Sequence, residues 1–520
     1  PSAGAETVSA SSEIPSFSIC PVERNSESVE SGLSPTQAAL WFVHEVNPDN
    51  PAYNIPIAMR YKGALDIDAL RNSFDWLISR HEITRTTYVE KSGAMLQRVH
   101  AEIASEFLVS DTNPADLASN VQAVASASFD LRNEAPLKCH VLRVSENECI
   151  VVLVAHHIAL DHLALLQLMK EFEVAYNEFS QGGTPQQPSP RLHYIDYVNW
   201  LNMQSNDEVE QRKLDVWSKR LESFSGVLDL PLDRPRLALP SGKGAQFLFD
   251  FDTSLSTQVK QFSSQHSVSL YISLLATFSA LLGRYCKQED VIVGTPFANR
   301  ADQEELDDVL GCFINTLPLA IDLSACNSFK TLISQVKDVM LEAFDNQDVP
   351  LNRIVDVAHP VRDPSYNPLF QVGFIFQEPP AGIMLDGVDG ELLPVHSGGA
   401  MYDLHVWIWE GDDGLSGLIW YNTDIFEEQS IQRLQGHFAN LLGSVTANPD
   451  LDFRAQPVLT ESEDKLYAAM NDTEVALSAQ DSLVALITRS AEQNGDKTAV
   501  QGHDGSLSYQ ELAERSDIMA

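Results

Sequence analysis

Ile150-Val151-Val152-Leu153-Val154-Ala155-His156-His157-Ile158-Ala159-Leu160-Asp161 is the stretch that decides how the rest of the chain reads. Its first six residues are apolar and mostly β-branched, the composition of a strand buried on both faces. Two imidazoles follow at once, and Leu163 to Phe179 then reads as a helix. So His156 and His157 stand where a buried strand meets a loop, and Asp161 stands just before the next helix.

Residue types alone leave several readings of this run open. Two polar residues can close a strand while the Asp caps a helix. A metal site needs a third ligand, and no H-E-x-x-H pattern supplies a familiar one. A Ser-His-Asp hydrolase lacks its G-x-S-x-G elbow. The remaining reading is a lone His acting on an external nucleophile. A neutral imidazole can accept a proton from an amine or hydroxyl as a bond forms. Asp161 would then hold the loop through a charge-assisted pair with an Arg rather than relay protons.

Outward from this run the pattern alternates. Residues 1–32 are rich in Ser, Glu, Pro and Ala and read as a linker or arm. Ser34-Pro35-Thr36 opens a helix with a cap and an early Pro. Ile57 to Lys62 reads as a strand, and Asp66 to Glu82 as an amphipathic helix with Leu70, Phe74, Leu77 and Ile78 on one stripe. Gln181 to Pro190 is a Gly, Pro and Gln loop. Tyr194 to about Leu221 looks helical, and Pro231, Pro235 and Pro240 keep the following stretch extended. Strands and helices then resume. This gives an N-terminal half over 33–180, a connector and second half over 181–455, and a piece over 456–520. That last piece is too small for an independent core.

The chain has 520 residues, 44% apolar and 21% charged, which allows sizeable cores. Its net charge of −39, from 34 basic and 73 acidic residues, excludes the clustered Lys and Arg of a phosphate-backbone binder. No nucleic-acid partner is expected. No apolar window approaches the ~18 residues of a membrane span, so no membrane partner is expected either. The chain starts at Pro1 without a signal-peptide pattern and reads as a fragment of a larger cytoplasmic protein. The 6 cysteines show neither C-x-x-C nor zinc spacing, so reduced buried thiols and no metal are expected.

Further stretches give these features a family. Ser34 to Trp41, Asn50 to Pro56, Arg80 to Thr86, His156 to Asp161, Tyr194 to Trp200, Gly311 to Thr316, Asn346 to Pro350 and Arg362 to Leu369 occur in order. Together they resemble the signatures of a nonribosomal peptide synthetase condensation domain over 34–455. The resemblance implies an α/β fold of two chloramphenicol-acetyltransferase-like lobes forming a V-shaped cleft with a central tunnel. It implies an upstream donor carrier domain and a downstream acceptor carrier domain as partners, each bringing a phosphopantetheine arm. The chain itself would bind no cofactor. The acceptor's α-amine would attack the donor thioester to form an amide.

By the same resemblance His157 orients or deprotonates the amine, Asp161 and Arg300 hold the loop, and His156 supports the strand end. Asn315 lies near where the family places a loop under the active site. The motif usually ends in Asp-Gly, and here His162 replaces the Gly, which would allow a positive φ or close approach by substrate. The expectation is that His162 is tolerated by pointing away from the tunnel. The opening motifs look most like the subtype joining two L-residues. Three alternatives remain: a free acyltransferase, a non-catalytic docking module, and an epimerising or dehydrating relative. Met470 to Thr473 and Leu507 to Leu512 resemble the start of an adenylation domain. The rest of that domain is therefore an expected partner, and no ATP chemistry is expected before it.

Overall fold

The computed structural model describes residues 19–519 apart from 25–27, 204–206, 301–303, 361–362, 380–381, 412 and 475–481. Most of the arm and Arg362 of the last motif lie outside the described residues. Residues up to Val458 form one compact unit, and residues from Leu459 form a second.

The N-terminal lobe contains β1 (Ser28–Gly32), α1 (Pro35–Val46), β2 (Asn54–Lys62), α2 (Ile67–Arg80), β3 (Thr86–Lys91), β4 (Ala94–His100), β5 (Glu106–Asp111), α3 (Leu117–Ala125), β6 (Leu137–Ser145), β7 (Glu148–His156) and α4 (His162–Ser180). The central strand β7 is buried along nearly its whole length because both its faces are covered. Val151, Leu153 and Ala155 meet α2 and α4 through Leu70, Phe74, Leu165, Leu168 and Phe172. Ile150, Val152 and Val154 meet Trp41, Tyr88 and Phe129 on the other side. This double burial is why the strand lacks polar alternation.

Residues 28–32, read above as the end of an arm, form β1, which pairs antiparallel with β4. Glu30 at its centre bonds Arg98 and Lys91 across the small sheet. Upstream, Arg24 is forked onto Asp196 and Glu82, and Ile19 is buried in the N-lobe core.

A connector of α5 (Tyr194–Met203) and α6 (Asp207–Leu221) leads to the C-terminal lobe. That half contains β8 (Gly244–Asp250), α7 (Thr253–Gln265), α8 (Leu270–Cys286), β9 (Asp290–Phe297), β10 (Asn315–Asp322), α9 (Phe329–Asp345), α10 (Leu351–Ala358), β11 (Val372–Phe376), β12 (Asp389–Leu393), β13 (Leu404–Gly411), β14 (Gly414–Asn422) and α11 (Glu428–Ala447). Six strands make one sheet in the order β10-β9-β11-β13-β14-β8. One face of it carries Val293, Phe374, Val406 and Ile419 into the core beneath α8, which is buried over most of its length. No single helix among the described residues is long and apolar enough to cross a membrane.

The C-terminal half lends elements to the N-lobe. Strand β12 leaves the C-terminal half and pairs antiparallel with β2, completing a five-stranded N-lobe sheet in the order β12-β2-β7-β6-β5. Ile383 and Leu385 on the way are buried in the N-lobe core, and Tyr61 Oη donates to the Ile383 carbonyl at 2.8 Å. The β9–β10 loop does the same with Leu306, Val309, Leu310 and Phe313. Each such side chain contributes roughly 1.5–3 kcal/mol of apolar burial before ordering costs. The lobes are therefore locked at their junction by apolar burial as well as by the connector.

The second unit contains α12 (Glu461–Asn471), α13 (Leu483–Asn494), β15 (Thr498–Gly502), β16 (Gly505–Ser508) and α14 (Tyr509–Met519). Strands β15 and β16 pair as a hairpin around His503 and Asp504. None of the described side chains on its three helices is buried.

Candidate active site

Strand β7 delivers the two imidazoles in opposite environments. His156 is buried, Nδ1 accepts from the Ile158 N–H at 3.2 Å, and the ring meets His44 and Phe129 edge-on at 5.7 Å each. Burial, reinforced by His44 and His157, pushes its pKa down to about 3, so it is a neutral packing residue.

His157 sits past the strand end, its main-chain N–H bonded to the Tyr53 carbonyl at 2.8 Å. Its ring is partly open to solvent. Cys312 Sγ lies 3.8 Å from its Nδ1. In the tautomer with the proton on Nδ1, the Nε2 lone pair is left to accept. Burial holds the imidazole below its ordinary range, opposed by its own main chain and by Asp161, so the neutral base form is populated at neutral pH. Burial also raises the Cys312 thiol well above its usual value, which keeps it protonated and unsuited to nucleophilic attack.

Asp161 is the N-cap of α4, and Oδ1 accepts from Ala164 N–H at 2.9 Å. Oδ2 accepts from Phe313 N–H at 2.9 Å, and its own N–H donates to the Gly311 carbonyl at 3.1 Å. The carboxylate thereby ties the N-lobe helix to the β9–β10 loop. Arg300 closes the arrangement: Nη1 donates to the Leu306 and Val309 carbonyls at 2.6 and 2.9 Å, and Nη2 lies 3.4 Å from Asp161 Oδ1. Its guanidinium also lies over the Phe313 ring at 4.2 Å. Gly311 is required at the turn, because a Cβ there would stand 2.0 Å from the Tyr194 ring. Tyr194 Oη in turn donates to the Cys312 carbonyl at 2.5 Å.

His162 is not turned away, contrary to the expectation from sequence. Its ring packs edge-on against Trp407 of β13, centroids 5.8 Å apart, and so stands in the junction between the lobes. As the first residue of α4, it is carried toward the C-lobe sheet by the same cap that fixes Asp161.

Asn315 does not join this group. Its Nδ2 donates to the Gln347 and Val349 carbonyls at 2.7 Å each, and Oδ1 accepts from Leu351 N–H at 3.3 Å. The amide is spent on pinning the α9–α10 turn, which is the stretch Asn346 to Pro350. Trp200 stacks on Tyr197 at 6.0 Å and packs against the N-lobe core.

Sequence reasoning missed the C-lobe side. Leu404, Val406 and Ile408 enter the core, so His405 and Trp407 share the other face, with Trp420 opposite His405. Gly373 beside His405 leaves room for that ring, since a Cβ would meet its Cδ2 at 2.6 Å. The alternation Leu-His-Val-Trp-Ile-Trp over 404–409 was the available signal, a strand with bulky polar-edged rings on its second face.

Two α/β lobes thus meet at the loop that carries His157 and Asp161, and comparison gives the chain its family. The condensation-domain family model matches residues 28–467, and the chain belongs to that family. It is 33% identical to a protein of the linear gramicidin synthase of Brevibacillus parabrevis over 98% of its length, spanning 7% of that protein. It is 30% identical to phosphinothricin tripeptide synthetase PhsC of Streptomyces viridochromogenes over 94% of its length, spanning 46% of that protein.

Among solved structures, a four-domain nonribosomal peptide synthetase bound to AMP and glycine has a TM-score of 0.82 at 21% identity, covering 95% of this chain and 39% of that one. The X-domain from teicoplanin biosynthesis has a TM-score of 0.77 at 23% identity, covering 85% of this chain and all (100%) of that one. These likenesses show the fold, two lobes of the chloramphenicol-acetyltransferase type.

Proposed function

We propose that this chain joins a carrier-bound acyl or peptidyl thioester to the α-amine of a carrier-bound aminoacyl thioester, within a longer modular synthetase. The observation that carries the reading is the His157 ring at the end of β7, held neutral by burial, with Cys312 Sγ against Nδ1; with the ring proton on Nδ1, Nε2 is the acceptor. The amine nitrogen attacks the thioester carbon, one amine proton passes to Nε2, the C–S bond breaks, and the proton returns to the departing thiolate. An α-amine has a pKa of about 8, so a useful fraction is already neutral, and positioning supplies much of the remaining rate. Asp161 and Arg300 act by holding the loop; neither relays a proton.

The partners in this reading are an upstream donor carrier and a downstream acceptor carrier, whose phosphopantetheine arms present the substrates. The rest of an adenylation domain is a third partner. Exposed Leu483, Val484 and Ile487 on α13 give that domain an apolar face to cover. Five of the six cysteines are buried and all are free, which suits a reducing, cytoplasmic setting. A non-catalytic docking module is the second reading, favoured by the His162 ring standing in the junction. Incubating the chain with both loaded carriers and weighing the intact acceptor carrier separates them. Condensation adds the donor acyl mass, whereas a docking module leaves both carriers unchanged.

A further inference from the structure

Two imidazole nitrogens at the lobe junction are buried without a hydrogen-bond partner among the described residues: His162 Nε2 and His405 Nδ1. His162 comes from the N-lobe helix α4 and His405 from the C-lobe strand β13. An aromatic wall links them. His162 meets Trp407 at 5.8 Å, Trp407 meets Trp420 at 5.3 Å, and Trp420 meets His405 at 5.3 Å. Trp407 is held in turn by its Nε1–H, which donates to the Gln377 carbonyl at 2.5 Å.

The Glu378 main chain favours a proton on the His162 ring. With that proton on Nδ1, the unpartnered Nε2 carries a lone pair and can only accept. Burial pushes the imidazole pKa down to about 4, so it does not become a donor near neutral pH. A buried acceptor without a donor is costly, and a ligand that brings one relieves the cost. His405 is 7% exposed and adds a second unpaired nitrogen to the same wall.

We propose that His162 is a positioning and specificity residue: its Nε2 accepts a hydrogen bond from an N–H of a substrate seated between α4 and β13. The site then favours substrates carrying that N–H over isosteres that lack it. The proposal rests on the condensation reading for the identity of the substrates. Two sources supply the chemistry, the amide N–H of a peptidyl donor and the α-amine of the acceptor. A plain acyl chain would lack the first.

Calorimetry with unreactive thioether-linked pantetheine analogues tests this without turnover, so an inactive parent would defeat the condensation reading alone. One pair carries a donor-side amide or its ester isostere. The other carries an acceptor-side amine or a methyl group in its place. The parent should bind the N–H form about fivefold more tightly in one pair, and that pair identifies the source. His162→Phe and His162→Gly should bring that ratio to about one. In the parent labelled with 15N-histidine, the His162 Nε2 resonance should move with the N–H form only. No preference in the parent, no binding of either form, or the same preference in parent and both variants would overturn the proposal. So would an Nε2 resonance that ignores the N–H form.

Discussion

Arg300 Nη2 stands 3.4 Å from Asp161 Oδ1, farther than the two main-chain N–H groups of Ala164 and Phe313, whose nitrogens lie 2.9 Å from the same carboxylate. The carboxylate is thus first a clasp between α4 and the β9–β10 loop and second an ion-pair partner. Arg300 has its own anchors in two carbonyls of that loop. The geometry ranks the two residues.

Removing the carboxylate should therefore hurt more than removing the guanidinium. Asp161→Ala loses a helix cap, frees the Phe313 N–H and strands a buried cation, which should cost about 3–5 kcal/mol. Arg300→Ala leaves the carboxylate with two donors and should cost less. Chemical denaturation of both variants checks the order. An equal loss, or a larger one for Arg300→Ala, would contradict the clasp.

Asn315 should matter for stability and not for chemistry. Asn315→Ala leaves the carbonyls of Gln347 and Val349 and the N–H of Leu351 without their partner, a cost of roughly 2–4 kcal/mol. Product formed per folded molecule should stay near the parent's. A selective loss of turnover at unchanged stability would place Asn315 in the reaction after all.

The edge-on contact of His162 with Trp407 spans the lobes, so its energy is measurable as a coupling. A double-mutant cycle of His162→Ala and Trp407→Ala, read by urea unfolding, should give about 0.5–1.5 kcal/mol. A coupling of zero would mean that the two rings do not support each other in solution.

Among the imidazoles that burial depresses, His156 and His405 fall to about 3 and His162 and His396 to about 4. Their unfolded pKa is about 6.5, so the unfolded chain takes up protons first as pH falls. Their contribution is complete above about pH 6.5 and is lost on the way down to about pH 3. Glu171, drawn down to about 2 chiefly by His81 against its own burial, titrates below this window. Stability at pH 7.5 and 5 should therefore differ less in His405→Phe than in the parent, with the acidic surface common to both. Parallel pH profiles would show that His405 is not buried neutral.

Periodicity was enough to place β7, α2 and α4, because each buries a regular stripe or a double face. The juxtaposition of His157, Asp161 and Arg300 was reached only through the family motifs, since Arg300 is separated from Asp161 by 139 residues and no local pattern joins them. Three features escaped. β1 is held by cross-strand ion pairs and carries little apolar signal. The passage of β12 into the N-lobe sheet is a matter of topology, which spacing does not encode. The direction of His162 depends on Trp407, 245 residues away from it by numbering, whose own role depends on which face of β13 meets the core.

Amide formation at this junction is held to depend on the His157 imidazole. The direct test is intact-protein mass spectrometry of an acceptor carrier after incubation with a loaded donor carrier and either the parent or His157→Ala. The parent should transfer the donor acyl group to the acceptor amine. His157→Ala, with its melting temperature close to the parent's because the ring is partly open to solvent, should lose roughly 100-fold or more in rate. Equal yields from the two proteins under single-turnover conditions would contradict that dependence.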